Sequence, residues 1–172
     1  TCQGCHEPKH KQKAVKSPLA LRRQPAKIAP EVDGAWPLSF PRLVQPVLDH
    51  KCVACHVKEK ACRLDGAASD KGASQSYRSL IPFVNWCGGK QRTHYQPFAL
   101  GGGSRSIPGQ FGAMGSKLFK NILVDKNHAA MKLTNEERRR IVLWIDGNIN
   151  FYGAYENTEA QLRGELVKPS LE

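Results

Sequence analysis

Residues 39–56 read SFPRLVQPVLDHKCVACH. Ser39 suits a helix N-cap and Pro41 the first helical turn, where a missing N–H costs nothing. Leu43, Val44, Val47 and Leu48 then share one face at helical spacing. The sequence therefore predicts a helix over 39–51, with Pro46 kinking or shortening it. That helix runs into Cys52-Val53-Ala54-Cys55-His56, a C-x-x-C-H motif. The same spacing stands at Cys2-Gln3-Gly4-Cys5-His6.

C-x-x-C-H is the attachment pattern of a c-type haem. Its two thiols add to the two porphyrin vinyl groups, and the histidine beside them can bind the iron. A four-thiolate zinc site is the main rival. However, about 47 positions separate Cys5 from Cys52, against roughly 15–20 in compact zinc ribbons. A zinc ribbon also needs no histidine after each pair. A thioredoxin-like C-x-x-C belongs to a βαβ unit, and neither copy has that setting. The expected cofactors are two covalently bound haem c groups. Cys2, Cys5, Cys52 and Cys55 would hold them, with His6 and His56 as proximal ligands.

Downstream, residues 57–73 read as loop and 75–86 as a helix carrying Tyr77, Leu80, Ile81 and Val84 on one face. Residues 88–116 are glycine-rich. They lack the Gly-Lys-Ser/Thr ending of a phosphate-binding loop, so a long loop around a haem edge is expected. Residues 116–126 form a helix with Ser116 as N-cap and Leu118, Phe119, Ile122 and Leu123 inward. Residues 135–149 form another, opened by a Thr134/Glu137 capping box and ended at Gly147; the stretch 158–167 adds a short one.

Helix, C-x-x-C-H, loops and a capped final helix follow the order of a cytochrome c domain. The expected fold is mainly α: a cytochrome c-like helical domain over 39–155, an irregular haem-bearing arm over 1–38 and a tail over 156–172. In such a domain the distal ligand precedes the last helix. His128 is the preferred ligand there, with Met131 as the alternative. For the first haem, His10, His94 and His50 are the candidates, beside a ligand from another chain or an open position. The arm has Pro8, Pro18, Pro25, Pro30 and Pro37 and no sustained apolar period, so it cannot enclose a haem alone.

The chain has six cysteines. Cys62 and Cys87, outside the motifs, are expected to form a disulfide, because this haem chemistry takes place where disulfides persist. A periplasmic or extracellular location follows. No signal peptide or roughly 20-residue apolar span is visible, so the sequence is expected to be a mature form or a piece of a longer protein. Lys and Arg number 26 against 15 Asp and Glu, a net charge of +11. This suits acidic redox partners, while the lack of an aromatic-rich binding motif argues against nucleic acid.

Several phrases resemble one family: Leu19-Ala-Leu-Arg-Arg-Gln-Pro, Phe40-Pro-Arg-Leu-Val-Gln-Pro-Val-Leu-Asp with the motif after it, Gly112 to Leu118, His128 to Leu133, Trp144-Ile-Asp-Gly-Asn and Phe151-Tyr-Gly-Ala-Tyr. Over nearly its whole length the chain is similar to the C-terminal dihaem region of the hydrazine synthase alpha-subunit family. The resemblance implies an all-helical c-type domain and a first haem that is the candidate catalytic centre. It also implies a bis-histidine second haem that relays electrons, with the histidine matching His128 as distal ligand. In hydrazine synthase the residue four beyond the first motif's histidine is a tyrosine, whereas here it is His10. That departure points away from hydrazine chemistry and makes His10 a candidate ligand.

The functional expectation is a dihaem electron carrier, working with other haem-protein subunits or with copies of itself. The alternative is a haem enzyme domain acting on small nitrogen compounds at an open first haem. A third reading is a filament subunit whose first haem is completed by the next chain.

Overall fold

The computed structural model describes residues 17, 19–28, 36–69, 72–85, 109 and 111–170. The chain divides into two units, Thr1–Pro30 and Glu31–Glu172. In the first, Leu19–Arg22 forms one turn of 3-10 helix, and Leu19, Leu21 and Ile28 are exposed. The second is built of short helices: α1 (Phe40–Leu43), α2 (Gln45–Lys51), α3 (Val53–Lys58), α4 (Gln75–Leu80), α5 (Gly112–Gly115), α6 (Lys117–Val124), α7 (Asn135–Asp146) and α8 (Thr158–Leu162). Among the described residues there is no strand, only a single bridge between Ala68 and Ser74. The fold is mainly α, as expected, and no described helix is long and apolar enough to cross a membrane.

The core is organised on Phe40, which is fully buried. Its ring meets Tyr77 and Trp144 edge-on, with centroids 5.3 and 5.0 Å away, and stacks on Phe151 at 6.1 Å. Edge-on contact sets the positive rim of one ring against the negative face of another. Leu43, Val44, Val47 and Leu48, the stripe expected on one face, are all buried with it. Both polar aromatic tips are satisfied at the turn after α7: Trp144 Nε1 donates to the Asn150 carbonyl (3.1 Å) and Tyr77 Oη to that of Ile149 (3.0 Å). Ile149 is held at φ 49°, unusual for a β-branched residue, and its burial and hydrogen bonds over-determine it.

Several boundaries differ from the sequence reading. The helix expected over 39–51 is broken at Val44, because Pro46 lacks an N–H and its ring would clash with the carbonyl four residues back. The chain restarts with Pro46 in the first turn of α2. Helix α3 runs to Lys58, so the loop expected from residue 57 starts later. Helix α4 stops at Leu80, and Pro82 is taken into a 3-10 turn, Ile81–Phe83. Helix α7 ends at Asp146 with Gly147 as its cap, as read, so the stretch to 149 lies outside it. Ser116 precedes α6 but its side chain does not cap it; its hydroxyl donates to the Gly112 carbonyl (2.7 Å) and accepts the Asn85 N–H (2.9 Å). Helix α5 lies inside the stretch expected to be loop. Residues 36–38, expected in the arm, belong to the larger unit, where Leu38 packs on the core and the Pro37 carbonyl accepts from Arg42. Nor is the tail separate: α8 contacts α1, and the Gln161 side chain is buried.

The capping box of α7 is formed. Thr134 Oγ1 accepts the Glu137 N–H (3.1 Å), and Glu137 Oε2 accepts the Thr134 N–H (2.7 Å). Glu137 Oε1 lies 3.3 Å from His50 Nδ1 and 3.8 Å from Lys51 Nζ, tying the start of α7 to the residues just before Cys52. Burial alone would raise the Glu137 carboxyl. The Thr134 N–H, His50 and Lys51 outweigh it and hold the group below its usual range. Thr134→Ala should therefore lower stability by about 1 kcal/mol, read as a lower denaturant midpoint at unchanged slope.

Candidate haem centre

The motif enters its site on a helix. Cys52 closes α2 with its N–H on the Leu48 carbonyl (2.8 Å), and α3 begins at the next residue. Cys52, one helical turn beyond Leu48, packs against the core, while Cys55 is exposed. Burial, with the charges of Glu137 and Cys55 adding to it, pushes the Cys52 thiol up to about 11. A site that disfavours a thiolate suits a thioether, which carries no charge.

At the end of α3, Lys60 takes a left-handed conformation (φ 51°) and the Ala61 N–H returns to the His56 carbonyl (3.0 Å). This reversal brings the Cys62 carbonyl to 2.9 Å from His56 Nδ1. A carbonyl only accepts, so the bond places the ring proton on Nδ1 and leaves Nε2 as a free donor to a metal. The loop is fastened behind it: Gln45 Nε2 donates to the Leu64 carbonyl (3.1 Å), and Gln45 Oε1 accepts from the Ser76 hydroxyl (2.5 Å). Leu64 itself is buried.

His128 comes from a different segment. Its segment, Lys126–Met131, is 3-10 helix, begun by the His128 N–H on the Asp125 carbonyl (3.0 Å). The ring centres of His56 and His128 are 6.3 Å apart and their planes meet at 38°. Two imidazoles bound trans to one metal atom, with bonds of about 2.0 Å, have centres about 6.3 Å apart. The pair is thus too far apart to stack, and its separation matches that of two ligands of one metal atom. His128 Nδ1 is buried without a hydrogen-bond partner, 3.4 Å from Asp125 Oδ2.

The remaining candidates fall as follows. Met131 Sδ lies 3.6 Å from Cys52 Sγ and packs at the core edge. His50 is engaged with Glu137 at 3.3 Å. Cys62 is an exposed thiol with Sγ 3.6 Å from His56 Nδ1; its expected partner Cys87 lies outside the described residues, and among those described there is no disulfide. Cys2, Cys5, His6, His10 and His94 also lie outside them.

Among the described residues no group of three or more His, Cys, Asp or Glu side chains converges on one point. A tetrahedral zinc site asks the protein for three or four ligands, whereas a porphyrin occupies four positions of its iron and leaves two. The donor set of His56, His128 and two adjacent cysteines fits the second demand. Sequence reasoning named these four residues. It missed the Cys62 carbonyl and Asp125, whose roles depend on a chain reversal and on a side chain at the end of another helix. No family model, curated protein or solved structure matches the chain.

Proposed function

We propose that the chain is a dihaem c-type cytochrome that passes electrons between its two irons and to redox partner proteins outside the cytoplasm. The approach of the His56 and His128 ring centres to 6.3 Å, with Cys52 and Cys55 in the same motif as the first of them, is the observation that supports this reading. A bound haem supplies a one-electron couple. The chain's part is to hold and tune it. Cys52 and Cys55 would tether the ring, and His56 and His128 would hold its iron. Imidazole on both sides favours the ferric state more than a thioether would, giving a low-potential carrier. Cys2, Cys5 and His6 would bind the other haem in the same way. The basic surface, +11 in net charge, suits an acidic partner. The resemblance to the dihaem region of the hydrazine synthase alpha-subunit family supports the same assignment.

The test is the haem count of the chain exported in a host with cytochrome c maturation machinery. Intact mass and the alkaline pyridine spectrum should give two covalent haems, and Cys52→Ser/Cys55→Ser should give one. A chain that carries zinc and no haem would overturn the proposal.

A further inference from the structure

The two histidines of this centre are supported by unlike groups. His56 Nδ1 meets a neutral backbone carbonyl, that of Cys62, at 2.9 Å. His128 Nδ1 lies 3.4 Å from a carboxylate oxygen, Asp125 Oδ2. The pair is built into the backbone. Asp125 terminates α6, and the Asp125 carbonyl receives the His128 N–H, so carboxylate and imidazole ride on the same turn. The Nδ1 atom is buried and has no hydrogen-bond partner at present geometry. A metal on Nε2 makes Nδ1–H a stronger donor, and the nearby carboxylate is placed to accept from it.

We infer that Asp125 is a positioning residue for His128, holding its proton on Nδ1 and strengthening it as a ligand, so that the second haem is biased towards the ferric state. The inference rests on the reading of His128 as an iron ligand. A carboxylate hydrogen bond adds electron density to the ring that a carbonyl cannot match. The two side chains are 33% and 36% exposed, so solvent reduces the effect without removing it.

Asp125 also precedes a helical turn, and the plainer reading is that it only caps that turn. Asparagine caps as well as aspartate but carries no charge. Asp125→Asn therefore separates the two roles. In the holoprotein, haem content and the low-spin spectrum should be retained. The ferric-over-ferrous preference of the second haem should fall about three- to tenfold, a tenfold change being 59 mV for a one-electron couple. Asp125→Glu, which restores the charge, should recover part of that shift. An Asp125→Asn protein with intact spectrum and unmoved potential overturns the inference. His128→Ala separates this from failure of the underlying reading. If that variant stays low-spin, His128 is not a ligand. If it becomes high-spin while Asp125→Asn is silent, only the role of Asp125 is lost.

Discussion

Replacing His128 by alanine is expected to convert the second haem from six-coordinate low-spin to five-coordinate high-spin iron. The covalent haem should survive, because Cys52, Cys55 and His56 are untouched. The ferrous variant should then bind carbon monoxide, which the parent second haem should not. Met131, whose sulfur sits 3.6 Å from Cys52 Sγ, is the alternative candidate near this motif, and a thioether charge-transfer band would report its binding. His128→Met should instead keep six ligands and raise the potential by a sizeable part of the roughly 0.8 V that axial ligation spans. Redox titration followed in the visible spectrum checks both. A His128→Ala protein that remains low-spin with a thioether charge-transfer band would move the ligand to Met131.

The second large effect concerns the fold. Phe40→Ala removes the ring on which Tyr77, Trp144 and Phe151 converge. The site is fully buried, and large-to-small changes at such aromatic positions cost about 3–5 kcal/mol. That is a large share of the roughly 5–15 kcal/mol that holds a domain folded. The ring also stacks on Phe151, so its loss should loosen the segment after α7, while the backbone bond from the Phe40 N–H to the Phe151 carbonyl is kept. Denaturant unfolding by circular dichroism should show the fall. Leu166→Ala, at a side chain 40% exposed, should stay within about 0.5 kcal/mol of the parent. Similar small losses for both would mean that the aromatic cluster is not the core.

How legible the molecule was in its sequence depended on the range of the forces involved. The α7 capping box is a four-residue signal, and it formed as read. The stripe of Leu43, Val44, Val47 and Leu48 follows from helical periodicity, and it is buried. The break at Val44 is less visible, because Pro46 can either kink a helix or restart one. Helix α5 could not be read at all. The N–H of Ala113, its second residue, is capped by Asp146 Oδ1 at 2.8 Å, thirty-odd residues later in the chain. Gly112 permits this with φ 64°, and a Cβ there would meet the same carboxylate at 2.5 Å. Ser116 looked like a local cap, but its hydroxyl joins Gly112 to Asn85. At the site, the haem proposal rests on the spacing of the C-x-x-C-H motif. The preference for His128 over Met131 rested on which neighbours would pack, and the structure brings His128 to 6.3 Å from His56 and Met131 Sδ to 3.6 Å from Cys52 Sγ.

The claim at the centre of this account is that His56 and His128 bind one iron from opposite sides. Electron paramagnetic resonance of the oxidised Cys2→Ser/Cys5→Ser protein isolates the second haem and tests it most directly. A purely low-spin ferric signal of bis-imidazole type, lost in the added His128→Ala variant, is the predicted result. An axial high-spin signal from the protein with His128 intact would contradict it.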